Sequence, residues 1–122
     1  MSKPIINEFK ALNTIAQDTK IKGNIESNGD IRLDGQLEGN LDCKGRVVVG
    51  PEAKVKGTII CKNAEIMGEI EGEIIVSDLL SLKNTANIAG DLTMGKLSVE
   101  PGAKFFGSCK MYNPEKTFAE SE

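Results

Sequence analysis

Apolar and polar residues alternate with a period of two along the first half of the chain. None of the 21 odd-numbered residues from Ile21 to Cys61 is charged, whereas 12 of the 20 even-numbered residues between them are Lys, Arg, Asp or Glu. This alternation predicts a β-strand that buries one of its faces. A straight strand of 41 residues would be roughly 135 Å long, whereas a compact chain of this size has a radius of gyration of roughly 14 Å. The chain therefore has to bend repeatedly while the same side chains remain inside.

A short motif repeats along the chain and gives these bends a period. It consists of an apolar residue, any residue, glycine, any residue and a second apolar residue, and its six copies are centred on Gly23, Gly39, Gly57, Gly72, Gly90 and Gly107. The glycines are separated by 16, 18, 15, 18 and 17 residues. A nearly fixed period is typical of a solenoid, in which each repeat buries its apolar face against its neighbours.

Superimposing the repeats predicts columns of residues that run through the solenoid. The inner column before the glycine contains Ile21, Leu37, Val55, Ile70, Ile88 and Phe105, and the inner column after it contains Ile25, Leu41, Ile59, Ile74, Leu92 and Cys109. The outer column just before the glycine contains Lys22, Glu38, Lys56, Glu71, Ala89 and Phe106, so opposite charges alternate along its first four members. That alternation favours this register. We expect each motif glycine to lie at a turn that requires positive φ or the absence of a side chain.

The predicted fold class is all-β, a single-stranded parallel β-helix (solenoid) of five to six coils with short disordered termini. A chain of 122 residues forms one domain, which we place at residues 14–112. Residues 1–13 form an N-terminal tail and residues 113–122 a disordered C-terminal tail. The chain has only four Phe, one Tyr and no Trp, as expected for a core too narrow for many large rings.

The two ends of such a solenoid are candidate interaction sites. Each end has an unpaired strand edge and an open apolar cross-section, which monomeric repeat proteins cover with polar caps. No cap is visible in this sequence, and the last coil is rich in large side chains. We therefore predict a polymerisation interface through which identical chains join. Its residues are Phe105, Phe106 and Met111 in the last coil and Ile15 and Ile21 in the first. In the alternative interpretation, the aromatic residues are a hydrophobic plug that closes the core.

The N-terminal tail is the second candidate site. Ile5, Phe9 and Leu12 are spaced as on one face of a short amphipathic helix, and Ile6 adds apolar area. Such a helix binds the surface of a membrane, and these four residues are the predicted membrane-binding set. A disordered arm is the alternative. The tail is far shorter than the roughly 20 apolar residues of a membrane-spanning helix.

The sequence offers little for catalysis, so we expect no enzyme activity, no cofactor and no metal site. It contains no His, which is the commonest general base and metal ligand. It also lacks the glycine-rich GxxxxGK[ST] motif that holds nucleotide phosphates. Asp34 and Glu38 are close enough in sequence to be considered as a pair of catalytic carboxylates, but dispersed carboxylates usually form a solvated surface. A net charge of −3 argues against a nucleic-acid partner.

The three cysteines indicate a reduced environment. Cys43 and Cys61 each follow a motif glycine by four residues, so we expect them to be inner neighbours on adjacent coils. Their position allows a disulfide, but an odd number of cysteines and the lack of a secretory signal favour the cytoplasm. Without His or a C-x-x-C pair, the cysteines make a weak case for zinc.

The chain resembles the bactofilins, small bacterial proteins with a β-helical core and short tails. The resemblance covers about residues 14–111 and is carried by the first-coil segment NTIAQDTKIKGNI, by the regular Ile-x-Gly-x-Ile coils and by the aromatic last coil. It implies a right-handed helix, assembly end to end into filaments without nucleotide, and a scaffold that places morphogenetic or wall-modifying partners at the cell envelope. It further implies that like ends join, that Phe105 and Phe106 take part, and that the N-terminal tail binds the inner face of the cytoplasmic membrane.

Two functions from different classes are compatible with the sequence. One is a self-assembling cytoskeletal scaffold whose main partner is a second copy of the same chain. The other is a β-solenoid that does not polymerise and presents its flat faces to a polysaccharide or protein target. The absence of a cap and of an export signal favours the scaffold.

Overall fold

The structure, a computed structural model, describes residues 13–111, which form ten β-strands and no helix. Every strand pair is parallel, as predicted for an all-β solenoid. The strands are β1 Asn13–Ile15, β2 Lys20–Ser27, β3 Ile31–Leu33, β4 Gln36–Cys43, β5 Arg46–Val49, β6 Lys54–Cys61, β7 Asn63–Ile66, β8 Glu69–Leu82, β9 Asn87–Val99 and β10 Lys104–Met111.

Each coil, meaning one complete turn of the solenoid, starts with a short strand segment and continues into a longer one that contains the motif glycine. The six coils are β1 with β2, β3 with β4, β5 with β6, β7 with the first part of β8, the end of β8 with the first part of β9, and the end of β9 with β10. The strands of consecutive coils pair residue for residue, so that Gly39 is the partner of Gly23 and Gly57 the partner of Gly39. The predicted register is confirmed, with six coils.

Each coil has three outer faces, which we name by their position relative to the motif glycine. Face A lies before the glycine and begins with Lys20 and Lys22, and face B lies after it and begins with Asn24 and Glu26. Face C is formed by the short segments and includes Arg32 and its neighbour Val48.

The core is the predicted stack of aliphatic side chains. The inner positions of the second to fifth coils are at most 2% exposed on both sides of the glycine: Leu37, Leu41, Val55, Ile59, Ile70, Ile74, Ile88 and Leu92. The inner side chains of face C complete the same cluster and include Leu33, Val49, Ile66 and Leu82. Because neighbouring coils cover these residues from both sides, burial is nearly complete in the middle of the rod.

The motif glycines mark the corner between faces A and B. Their φ angles lie between 134° and 144°, a region that is essentially restricted to glycine. Coils also approach closely at this corner, because a Cβ atom on Gly57 would overlap the carbonyl oxygen of Gly39. Only Gly23 has no neighbouring atom within 4 Å of such a Cβ, since no described coil precedes it. The motif glycines therefore combine a positive φ with, from the second coil onward, a close approach between coils that leaves no room for a side chain.

The open ends of the solenoid as a candidate assembly site

At the C-terminal end, the last coil has a neighbour on only one side among the described coils. β10 pairs only with β9 among the described strands, so the backbone groups on its far edge have no strand partner there. The inner columns are uncovered at the same place. Val99 is 53% exposed although its partner Leu82 is 2% exposed, and Met111 is 57% exposed although its partner Met94 is buried. The apolar core therefore opens at this end.

Phe105 and Phe106 are neighbours in sequence but lie on opposite sides of β10. Phe105 follows Ile88 in the inner column and packs partly buried against the core. Phe106 follows Ala89 in the outer column of face A and is 67% exposed. These orientations confirm the predicted positions of both rings in the columns.

The N-terminal end is also open but is less apolar. Ile15, Ile21 and Ile25 pack against the core and are only partly buried, because β1 and β2 have strand partners on one side only among the described residues. Across this end, the side-chain amide of Asn13 donates a hydrogen bond of 3.1 Å to the hydroxyl oxygen of Ser27. The two ends thus present different surfaces to a joining chain.

The five predicted interface residues fall at two separate ends of the rod. Phe105, Phe106 and Met111 belong to the sixth coil, whereas Ile15 and Ile21 belong to the first. They therefore lie on two separate surfaces of one chain. The predicted membrane-binding residues Ile5, Ile6, Phe9 and Leu12 lie outside the described residues.

Sequence analysis missed four side chains at the open ends. Leu97 and Val99 are exposed at the end of β9, Cys109 is exposed in β10, and Ile25 is partly buried in β2. Each occupies an inner column in a terminal coil. The period-two pattern contained this information, because it marks every inner position of a terminal coil and not only the five predicted interface residues.

The carboxylates on the outer faces form ion pairs with basic residues. Asp34 accepts a hydrogen bond of 2.9 Å from Arg32, and Glu38 lies 3.3 Å from the amino group of Lys20. The hydrogen bond from Lys20 lowers the pKa of Glu38, which favours the ionised carboxylate. Asp34 and Glu38 are thus each paired with a separate basic side chain, Arg32 and Lys20 respectively.

The cysteines differ in burial. Cys43 and Cys61 are buried, Cys109 is exposed, and all three are free thiols. Burial raises the pKa of the Cys61 thiol to about 12 and also raises that of Cys43. The Cys43 thiol donates a hydrogen bond of 3.0 Å to the carbonyl oxygen of Gly29. Cys43 and Cys61 therefore act as small apolar residues of the core.

Residues 13–111 contain neither a metal-binding cluster nor a membrane-spanning helix. No group of three or more His, Cys, Asp or Glu side chains in this part of the chain is arranged to hold a metal ion. The same part of the chain contains no helix that is long and apolar enough to cross a membrane.

A model of a protein family matches most of this chain. It is described as Bactofilin, polymer-forming cytoskeletal, and it matches residues 13–110. Among characterised proteins, bactofilin BacO of Myxococcus xanthus is 28% identical over 102 residues, which cover 84% of this chain and 81% of BacO. Bactofilin BacP of the same organism is 27% identical over 95 residues, which cover 78% of this chain but 40% of BacP.

Two solved structures share the fold. One is a cryo-EM reconstruction of double helical filaments of a bactofilin from Thermus thermophilus, with 29% identity, a TM-score of 0.78 and coverage of 82% of this chain and 99% of the other. The second is a crystal structure of Thermus thermophilus bactofilin in which a phenylalanine is replaced by arginine. It has 28% identity, a TM-score of 0.70 and coverage of 74% and 100% of the two chains.

Proposed function

We propose that this chain, which belongs to the bactofilin family of polymer-forming cytoskeletal proteins, joins end to end into filaments without nucleotide and serves as a scaffold. The observation that carries the proposal is the contrast between the buried middle of the core and its open ends. Ile88 is fully buried and Phe105 is partly buried, although they are consecutive members of one column. A second copy placed on the end would bury the column further.

The end surfaces supply two kinds of attraction. Full burial of each large apolar side chain contributes about 1.5–3 kcal/mol, and Val99, Phe106 and Met111 are each more than half exposed. The unpaired edge of β10 provides backbone donors and acceptors to a strand of another copy. Both attractions come from the folded chain itself, which supports assembly that does not depend on bound nucleotide.

We further propose that the scaffold places morphogenetic or wall-modifying proteins at the inner face of the cytoplasmic membrane. The outer faces of a filament repeat the same side chains along its length, and such repetition strengthens weak contacts with a partner. The apolar residues Ile5, Ile6, Phe9 and Leu12 supply the membrane contact in this proposal. Each filament then carries one such segment per chain, so several weak membrane contacts act together.

Electron microscopy of the purified full chain tests the assembly proposal. We expect filaments a few nanometres wide in plain buffer, with the same amount of pelleted protein in the presence and absence of ATP or GTP. Particles of one uniform size across a range of salt concentration and pH would contradict the scaffold. That result would favour the alternative, a binding module that does not polymerise. Filaments that require nucleotide would contradict only the nucleotide-independent mechanism.

A further inference from the structure

Face B has an unusual order of side chains along the rod. Its first column contains Glu26, Asp42, Ile60, Ile75, Thr93 and Lys110, one residue from each coil. Its second column contains Asn24, Asn40, Thr58, Glu73, Asp91 and Ser108. The first column therefore begins with two acids, has two isoleucines at its centre and ends with a base.

The two isoleucines form an apolar step on the outside of the protein. Ile60 is 42% exposed, and Ile75, its partner on the next coil, is partly buried. They occupy the third and fourth of six coils, so the midpoint of the rod lies between them. In the same two coils, the outer column of face A carries Lys56 and Glu71, which form an ion pair of 3.9 Å.

We propose that a second copy of this chain docks side by side on face B in antiparallel orientation. The two-fold axis then passes between the third and fourth coils, and each coil meets its opposite in the order one with six, two with five and three with four. Ile60 packs against Ile75 of the second copy. Glu26 lies opposite Lys110 of the second copy, which pairs unlike charges.

The second column of face B fits the same arrangement. Asn24 lies opposite Ser108, Asn40 opposite Asp91, and Thr58 opposite Glu73. Each pair combines a hydrogen-bond donor with an acceptor and places no like charges together. Both columns are thus self-complementary about one axis.

Other arrangements are less favourable because they place like or unmatched groups together. Parallel copies in the same register would bring Glu26 against Glu26 if the first column faced itself, or the apolar Ile75 against the charged Glu73 if the two columns faced each other. Antiparallel pairing through face A would bring Lys20 against Lys104. Antiparallel pairing through face C would bring the apolar Val48 against the charged Glu65. Like charges at an interface oppose association, so face B in antiparallel orientation is the best match.

The size of face B indicates when this contact forms. Six coils span about 24 Å, and two columns give an area of about 300 Å² per copy, whereas a stable pair usually buries about 800 Å² on each partner. One copy therefore binds another weakly. End-to-end assembly aligns many faces, which makes the combined contact strong.

The inference therefore rests on the proposed function, and the double helical filaments of the Thermus thermophilus relative are consistent with a side contact in addition to an end contact.

The test substitutes the centre of face B, which is remote from both ends. Ile60→Lys should reduce the ratio of paired to single filaments at least about tenfold in electron micrographs, because loss of an apolar contact of this size weakens binding by that order. Single filaments should still form. Val48→Lys, on face C of the same coil, is the matched control and should pair as the wild type does.

A compensating variant tests the antiparallel register. Combining Ile60→Lys with Ile75→Glu should restore pairing, because residue 60 of one copy lies opposite residue 75 of the other. In a parallel arrangement residue 60 lies opposite residue 60 or residue 58 of the second copy, so the glutamate introduced at position 75 would not meet the lysine introduced at position 60 and pairing would stay lost. Thr93→Asp places a carboxylate opposite Asp42 of the second copy, so it should also separate paired filaments. This variant tests face B without altering Ile60 or Ile75.

The outcomes separate this inference from the proposed function. Wild-type filaments that remain single, or Ile60→Lys and Thr93→Asp filaments that pair normally, would overturn the face B contact and leave end-to-end assembly intact. Loss of liposome binding with unchanged pairing in Ile60→Lys would assign face B to a membrane and also overturn the inference. A wild-type chain that forms no filaments would refute the proposed function itself.

Discussion

Phe105 follows Ile88 in one inner column of the solenoid, but Ile88 is fully buried and Phe105 is only partly buried. The two side chains share the same strand register and the same inward direction. Their difference arises because a following coil covers Ile88, whereas no described coil follows Phe105. This contrast makes the C-terminal end the surface on which substitutions are most informative.

Phe105→Arg should abolish filaments, because an unpaired charge within a desolvated contact costs several kcal/mol. Phe106→Arg should shorten filaments, since this ring points outward beside the contact. Sedimentation and electron microscopy measure both effects. Ala89→Arg is the matched control, because it lies in the same outer column as Phe106 but one coil further from the end, and its filaments should be unchanged.

Circular dichroism distinguishes loss of assembly from loss of folding in the phenylalanine variants. β-structure should persist in Phe105→Arg. If the chain unfolds, the ring belongs to the packing of the last coil, as the interpretation of a hydrophobic plug holds. Folded Phe105→Arg protein that still forms filaments of normal length would contradict an assembly role for this end.

Deletion of residues 1–12 should leave polymerisation intact and reduce co-sedimentation with liposomes. The cut ends before Asn13, because Asn13 already pairs with Ile31 in the first coil. The reason for the expected loss is that an apolar segment binds the membrane surface in proportion to its buried area. Equal sedimentation of the shortened and full chains would remove the membrane role from this segment.

Gly57→Ala should destabilise the protein more than Gly23→Ala. Both substitutions place a side chain at a φ angle that costs about 1–3 kcal/mol. Gly57→Ala additionally forces a Cβ against the carbonyl oxygen of Gly39, which adds about 1–3 kcal/mol of overpacking. Urea denaturation measures the two free energies of unfolding. Equal losses would show that the approach between coils contributes nothing.

Stability should fall in alkaline solution because of the buried Cys61 thiol. The pKa of Cys61 is raised to about 12 from an ordinary value of 9.0, so the unfolded chain releases its proton first as pH rises. The stabilising contribution is therefore complete below pH 9 and is lost progressively towards pH 12, with a slope of at most about 1.4 kcal/mol per pH unit. The stability of Cys61→Val should depend less on pH in this range, because valine carries no titratable group. Valine should fit the site, since Val76 occupies the next position of the same column. Denaturation at several pH values compares the two proteins, and identical curves would contradict the expected contribution.

The register of the coils was readable from the sequence because it depends on local and repetitive features. Alternation fixes which side of a strand is buried, and the glycine repeat fixes which residues are superimposed. Leu37, Val55 and Ile70 were therefore placed correctly in one column. The same pattern extends into the last coil, where it placed Phe105 inward and Phe106 outward.

The contacts of the outer side chains were less readable, because long side chains reach across columns. The alternating charges suggested contacts within one column, and Lys56 with Glu71 follows that rule. Glu38, however, lies close to Lys20 in the neighbouring column. Lys83 likewise contacts both Glu65 and Glu100, on different coils. Such choices depend on side-chain geometry that a period does not encode.

The sequence by itself determined the class of fold, the length of the repeat and the inward-facing residues of the first and last described coils, because each follows from the spacing of apolar residues and glycines along one chain. Only the tertiary structure decided how far each end is exposed, that Asn13 meets Ser27 at the first end, and that Ile60 and Ile75 lie together on an outer face. These features join residues 14 or more positions apart, and they exist only after the coils have closed around the core.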